Sequence, residues 1–154
     1  MLHLLLALSM SLVAFLMSLP PAVPVITLER TTCFGTCPAY KLTIFDDGKV
    51  LFEGKEFVKQ KGKAEGQITK AELDKLVREF NKINYMKLDD EYGVGDRCPD
   101  LWTDYPTAIT SINQNGQVKS ILHYQGCRGL TVLDQLTTLE NKIDEVVNTK
   151  RWIE

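Results

Sequence analysis

The first half of the chain after residue 22 carries patterns typical of β-strands. Val25–Thr31 is rich in β-branched residues, and apolar and polar residues alternate along Tyr40–Ile44 and again along Lys49–Glu53. Lysines recur through Phe57–Ala64, as in an exposed edge strand or a loop. These patterns predict three strands followed by a fourth, more exposed one.

The turn between the second and third strands can be chosen from the pattern alone. A three-residue turn ending at Gly48 places Ile44 opposite Val50 and Leu42 opposite Phe52, so that apolar residues face each other. A two-residue turn would instead place Leu42 opposite a charged residue on the core face. We therefore predict the three-residue turn, with Gly48 in the left-handed conformation.

Two segments have apolar residues at helical spacing. Thr69 and Glu72 form a capping box before a helix over about residues 70–84, and Thr131 and Asp134 repeat this signal before a last helix. The apolar stripes are Leu73, Leu76, Val77, Phe80 and Ile83 in the first helix, and Val132, Leu136, Leu139, Ile143 and Val146 in the last. Each helix is therefore predicted to bury one face.

The segment between the two helices contains a second hairpin pattern. Pro106–Asn113 and Gln117–Tyr124 flank an Asn115-Gly116 turn signal. Strands joined by hairpins run antiparallel, and two helices with one apolar face each can cover one side of such a sheet. We predict an α+β fold in which an antiparallel sheet of about five strands carries two helices on one face, a two-layer sandwich.

The N-terminal segment differs from the rest of the chain, because no Lys, Arg, Asp or Glu precedes Glu29. The apolar run Leu2–Leu19 with Ala22 after it is typical of a secretory signal peptide. Its length is also close to the roughly 18 residues of a membrane span, so an uncleaved anchor is the alternative. We therefore predict that residues 1–22 are a signal peptide or membrane anchor and that residues 23–154 form a single exported domain, periplasmic or secreted.

Charge and motif content exclude several classes of function. A formal net charge of −2 and a pI near 5.7 argue against nucleic-acid binding, which requires a basic face. The sequence has no His-Glu-x-x-His zinc motif, no Walker loop and no dinucleotide fingerprint, so we predict no metal and no cofactor. Membrane contact is expected only through residues 1–22, if that segment is retained.

All four cysteines lie in the predicted exported part, and an even number in a small exported domain is typical of disulfides. Three pairings are possible, and we favour Cys33 with Cys37 and Cys98 with Cys127. The alternatives are a redox-active Cys33/Cys37 pair and a zinc site. Pro38 and the strand after it place the first pair at a strand entrance, whereas thiol oxidoreductases carry Cys-x-x-Cys at the start of a helix.

An acidic stretch with aromatic residues, predicted to be irregular, covers residues 85–105. Its candidate binding surface consists of Asp96, Asp100, Trp102, Asp104 and Tyr105. The alternatives are a solvated loop held by Cys98, a calcium site and a glycosidase-like carboxylate pair. The spacing departs from the EF-hand pattern, and a carboxylate pair requires a separation that a sequence does not provide.

His123 is the one histidine of the predicted domain. A Ser-His-Asp or Cys-His site would require a nucleophile beside it, and Ser111 and Ser120 lie in strand patterns without the sharp turn that exposes a nucleophilic serine. We therefore interpret His123 as a half-exposed strand residue and assign no catalytic residue.

Several motifs resemble a small exported bacterial family catalogued as a domain of unknown function (6438). They are Thr31–Tyr40 with its Cys-Phe-Gly-Thr-Cys-Pro core, Ile44–Val50, Glu53-Gly54, Leu139–Asp144 and Arg151–Ile153. The resemblance spans about residues 25–153. It implies export and one compact domain, and it assigns no activity and no catalytic residue.

These observations favour a small, disulfide-linked, non-enzymatic binding module of the cell envelope. Its partner would be a protein or a small ligand bound at the acidic loop and the nearby sheet edge. The alternatives are a thiol-disulfide activity of Cys33 and Cys37 and a purely structural envelope component.

Overall fold

A computed structural model describes residues 22–93 and 98–154, and most of its strands belong to one seven-stranded sheet. In chain order these strands are β1 (Pro24–Arg30), β2 (Ala39–Phe45), β3 (Lys49–Glu56), β4 (Gly62–Gln67), β5 (Glu91–Tyr92), β7 (Thr107–Gln114) and β8 (Gln117–Tyr124). Their order across the sheet is β4-β3-β2-β1-β7-β8-β5. Two further strands, β6 (Asp100–Leu101) and β9 (Cys127–Arg128), form a small antiparallel sheet.

The α+β class is confirmed, but the sheet is larger than five strands and is not purely antiparallel. The exception is β5, which pairs with β8 in parallel. A two-residue strand is too short to show any alternation of apolar and polar residues, so its pairing is decided by tertiary packing alone. The central strand β1 pairs with both β2 and β7, and it thereby joins the two hairpins into one sheet.

The predicted register of the first hairpin is confirmed. Ile44 pairs with Val50 and Leu42 with Phe52, and Gly48 ends the turn with a φ of 80°. The second hairpin turns at Asn115 and Gly116, whose positive φ values of 54° and 84° are those of a type I′ turn.

The fourth strand begins later than predicted. The chain turns at Phe57, whose φ of 52° takes it out of the strand conformation, and β4 begins only at Gly62. Apolar residues at positions 57 and 58 therefore belong to the connection rather than to the strand.

The helices are α1 (Lys70–Lys82), α2 (Thr131–Val147) and α3 (Lys150–Ile153), with a 3-10 turn at Tyr85–Lys87. The capping box of α1 is confirmed, because the Thr69 hydroxyl accepts from the backbone N–H of Glu72 and the Glu72 carboxylate accepts from that of Thr69. The predicted cap of α2 is wrong. Leu130 occupies the N-cap position and makes no side-chain bond, while Thr131 is already helical.

Helices α1 and α2 pack their apolar stripes against one face of the main sheet. The largest fully buried side chains come from both layers: Tyr40, Tyr85, Phe52, Phe80, Ile26, Leu28, Leu42, Ile44, Leu76, Ile112, Ile121 and Leu136. Within the part of the chain that the structure describes, none of the helices has the length and apolar character needed to cross a membrane.

Candidate functional site

Two disulfides connect the four cysteines in the pairing that the sequence favours. Cys33 is bonded to Cys37 within the loop between β1 and β2, and Cys98 is bonded to Cys127 at the start of β9. None of the four residues begins a helix, so the structure lacks the helix N-terminus that lowers the thiol pKa in thiol oxidoreductases.

The tertiary structure places the loops of the two disulfides against each other. The backbone N–H of Phe34 donates to the carbonyl oxygen of Asp104 at 3.2 Å. Next to this contact, Thr31 and Thr107 exchange two hydrogen bonds, from Thr31 N to Thr107 O at 3.0 Å and from Thr107 N to Thr31 Oγ1 at 2.9 Å. The short loop around Phe34 therefore rests on the loop that precedes β7.

These two loops expose four large apolar side chains. Phe34 is 87% exposed, Leu101 55%, Trp102 54% and Tyr105 38%. Soluble proteins rarely group several large apolar side chains at one exposed place unless something binds there. We call this region the loop surface and define it as Phe34, Asp100, Leu101, Trp102, Asp104 and Tyr105.

Trp102 is held in place although its ring is exposed. Its indole Nε1–H donates to Asp100 Oδ2 at 3.0 Å, and its backbone N–H donates to the Gly126 carbonyl at 2.8 Å. The hydroxyl of Tyr124 donates to the Trp102 carbonyl at 2.8 Å. Gly126 is required here, because a Cβ at this position would lie 2.1 Å from the Trp102 oxygen. An aromatic ring that is already fixed loses little conformational entropy when it binds.

The polar residues of the loop surface are ordered as well. Asp104 has a positive φ of 71°, a strained conformation for a residue other than glycine, and its carboxylate accepts from the Thr103 hydroxyl at 3.1 Å. The guanidinium of Arg128 lies 5.2 Å from the centre of the Tyr105 ring, within cation–π range.

Four of the five predicted binding residues are therefore brought together: Asp100, Trp102, Asp104 and Tyr105. The fifth, Asp96, lies outside the described residues. Sequence reasoning missed Phe34, although a signal was available. A side chain inside a five-residue disulfide loop has little neighbouring chain to bury it.

The acidic residues do not all converge on this surface. Asp90 forms an ion pair with Lys119 on β8, at a different part of the sheet. Among residues 22–93 and 98–154, no group of three or more His, Cys, Asp or Glu side chains is placed to hold a metal ion.

A polar cluster lies buried at the end of the sheet from which the disulfide loops leave. His123 is only 2% exposed, so its interpretation as a half-exposed residue is wrong. Its Nδ1 lies 2.7 Å from Oε1 of Glu140, which is fully buried on α2. The other carboxylate oxygen of Glu140 accepts from the Gln125 amide at 2.9 Å.

The second half of this cluster is centred on Asp144, one helical turn after Glu140. Its two carboxylate oxygens accept from Arg30 Nε at 2.9 Å and from the Tyr40 hydroxyl at 2.7 Å. Burial lowers the pKa of Arg30, but Asp144, Tyr40 and Glu140 raise it by more, so the guanidinium stays charged. The spacing of Glu140 and Asp144 was a usable signal, since Glu140 interrupts an otherwise apolar helical stripe.

The buried cluster joins α2 to the strand ends that carry the loop surface. Arg30 ends β1, Tyr40 lies at the start of β2, and His123 lies near the end of β8. In the described residues, no hydroxyl or thiol is hydrogen-bonded to His123, and Ser111 instead bonds Thr27 on the opposite face of the sheet. The cluster therefore lacks the nucleophile of a hydrolytic triad, and its geometry suits it to position the loops.

Two buried tyrosines predict a loss of stability at alkaline pH. Burial raises the pKa of Tyr40 far above its ordinary value, helped by the negative charge of Asp144, and burial likewise raises the pKa of Tyr85. Above about pH 10 the unfolded chain ionises these phenols while the folded protein keeps them protonated. The folded state then binds more protons, so its stability is intact below about pH 10 and falls as pH rises towards the folded pKa values.

We expect two phenols to ionise only together with unfolding, as measured by tyrosinate absorbance and by urea unfolding along a pH series. Tyr40→Phe should remove one of them. Ionisation of all tyrosines near pH 10 without any loss of stability would contradict this.

These features define a disulfide-linked α+β domain whose exposed aromatic loops stand on a buried polar cluster. The chain belongs to the family described as Domain of unknown function (DUF6438), whose model matches residues 24–147. The match covers both hairpins and both main helices. No curated protein matches the sequence.

Proposed function

We propose that this protein is an exported, non-enzymatic binding module of the cell envelope and that it binds a protein partner through the loop surface. The observation that carries the proposal is the grouping of Phe34, Leu101, Trp102 and Tyr105 as exposed side chains on two disulfide-linked loops. Tryptophan and tyrosine are the residues most enriched among those that dominate binding energy in protein interfaces.

A macromolecular partner suits these side chains better than a small ligand. Small-molecule sites are concave and enclose most of their ligand, whereas Phe34 and Trp102 each expose more than half of their surface. The two disulfides are consistent with an oxidising, exported environment, which supports the proposed location. They also keep the loops ordered in the absence of a partner.

Removing the exposed rings should weaken binding strongly. We expect Trp102→Ala and Phe34→Ala each to reduce affinity by about 30-fold, since a central aromatic in an interface contributes about 2 kcal/mol or more. The measurement is quantitative capture of envelope proteins on the immobilised protein, followed by titration of whichever partner the parent protein retains. Unchanged Tm values would show that the variants are folded.

Val118→Ala is the matched control, because Val118 is 69% exposed and lies at the opposite end of β8 from Tyr124. The proposal requires that this variant retains the partner that Trp102→Ala loses. Equal capture by all three variants would overturn it and would favour a purely structural role.

A further inference from the structure

The outer edge of β8 is only partly covered. On one side β8 pairs with β7 over its whole length, from Gln117 to Tyr124. On the other side its only neighbouring strand is β5, which pairs with Leu122 and His123. In the part of the chain that the structure describes, no strand pairs with this side of β8 before Leu122.

The uncovered backbone groups can be identified from the hydrogen bonds on either side. Leu122 points its N–H outward, since it donates to the Asp90 carbonyl at 2.9 Å. Because strand residues alternate in direction, the N–H and C=O groups of Val118 and Ser120 point outward as well. Both residues are exposed, and Val118 keeps 69% of its surface in contact with solvent.

We propose that this edge binds an extended segment of another protein by antiparallel strand addition, with backbone hydrogen bonds to Val118 and Ser120. These two residues offer two donors and two acceptors at the strand repeat, which is the chemistry that recognises an extended backbone. The chain already uses the next residue along the same edge in this way, because β5 adds to β8 at Leu122. The added strand would therefore enlarge the main sheet beside β5.

The charge at this edge disfavours a second copy of the same chain. Antiparallel pairing of Val118 with Ser120 of a second copy is centred on Lys119, so the two equivalent lysines would lie directly opposite each other. Like charges in that position are destabilising. The Lys119 ammonium forms an ion pair with Asp90, the acidic side chain that the structure places against it. An added strand with an acidic residue opposite Lys119 would complement the same charge.

This surface is separate from the loop surface. Val118 and Tyr124 lie six residues apart along one strand, which corresponds to roughly 20 Å. The inference therefore does not depend on the proposed function, and Trp102→Ala distinguishes the two. That variant should lose the partner of the loop surface and should leave strand addition unchanged.

The test uses a synthetic peptide, Thr-Val-Thr-Glu-Thr-Val-Thr with blocked ends, titrated into the ¹⁵N-labelled protein. We expect the amide resonances of Val118 and Ser120 to shift and to become protected from exchange, with smaller changes at the loop surface. Replacing the central Glu of the peptide with Lys should weaken binding about threefold, in keeping with the energy of a cross-strand charge pair.

Matched variants separate backbone recognition from side-chain contact. Val118→Pro and Ser120→Pro each remove an outward N–H without removing a bond to β7, and we expect a loss of at least tenfold in peptide affinity. Val118→Ala keeps the N–H and should bind as the parent protein does. The thermal transition of each variant reports whether the β7–β8 hairpin is intact.

Three results would overturn the proposal. They are the absence of shifts at Val118 and Ser120 with millimolar peptide, an equal loss of binding in Val118→Ala and Val118→Pro, and unchanged binding in a folded Ser120→Pro variant. Sedimentation of the parent protein as a dimer that Ser120→Pro dissociates would also overturn it, since a second copy would then occupy the edge.

Discussion

Replacing Glu140 with alanine is expected to lower the free energy of unfolding by about 3–5 kcal/mol, the range for breaking a buried ion pair by removing one partner. The carboxylate is fully buried and accepts from the Gln125 amide while it lies against His123 Nδ1. Without it these groups stay buried and lose their partner, and Arg30 retains only Asp144 as an acidic neighbour. Urea unfolding followed by tryptophan fluorescence and by far-ultraviolet circular dichroism measures the loss.

Glu145→Ala is the matched control on the same helix. Glu145 is exposed and pairs only with Lys142, so a change of less than about 0.5 kcal/mol is expected. The double variant Glu140→Leu with His123→Leu should recover most of the loss, because two apolar side chains leave no unpaired group. A similar loss for Glu140→Ala and Glu145→Ala would show that the buried cluster does not stabilise the fold.

Removing the disulfide between Cys98 and Cys127 is the second change with a large expected effect. Its cysteines are 29 residues apart, and the chain-entropy model gives a loss of roughly 3–4 kcal/mol for Cys98→Ala with Cys127→Ala. The bridge also fixes β9, which pairs with the strand before Trp102. We therefore expect partner binding at the loop surface to fall together with stability, as measured by unfolding and by titration with the retained partner.

The Cys33–Cys37 disulfide offers an internal comparison. It spans only four residues, so the same model gives a loss of about 2 kcal/mol for Cys33→Ala with Cys37→Ala. This variant should weaken partner binding through Phe34 while leaving Trp102 in place. A larger loss of stability from the short loop than from the long one would contradict the expected order.

Both predictions concern the same end of the molecule. The disulfides hold the loops to each other, and Glu140 and Asp144 hold the strand ends beneath them to α2. A binding surface made of loops requires such support, because each degree of freedom that is already lost in the free protein costs nothing on binding. Stability and binding are therefore expected to change together in variants of the cluster.

Local patterns predicted much of the fold because they depend on neighbours in the chain. The register of the first hairpin follows from Gly48 and from the alternation around it, and the start of α1 follows from Thr69 and Glu72. The α2 cap failed for the same local reason, since Leu130 already occupies the N-cap position and leaves Thr131 inside the helix. The parallel strand β5 could not be predicted, because a two-residue pairing has no sequence period.

The candidate site divides in the same way. The sequence by itself determined that Asp100, Trp102, Asp104 and Tyr105 lie in one loop held by a cysteine, since proximity along the chain is enough for that. Only the tertiary structure decided that Phe34 joins them and that His123 is buried against Glu140, contacts between residues 70 and 17 positions apart respectively. Such contacts arise when separate elements pack together, and burial in a shared core, rather than any local pattern, selects them.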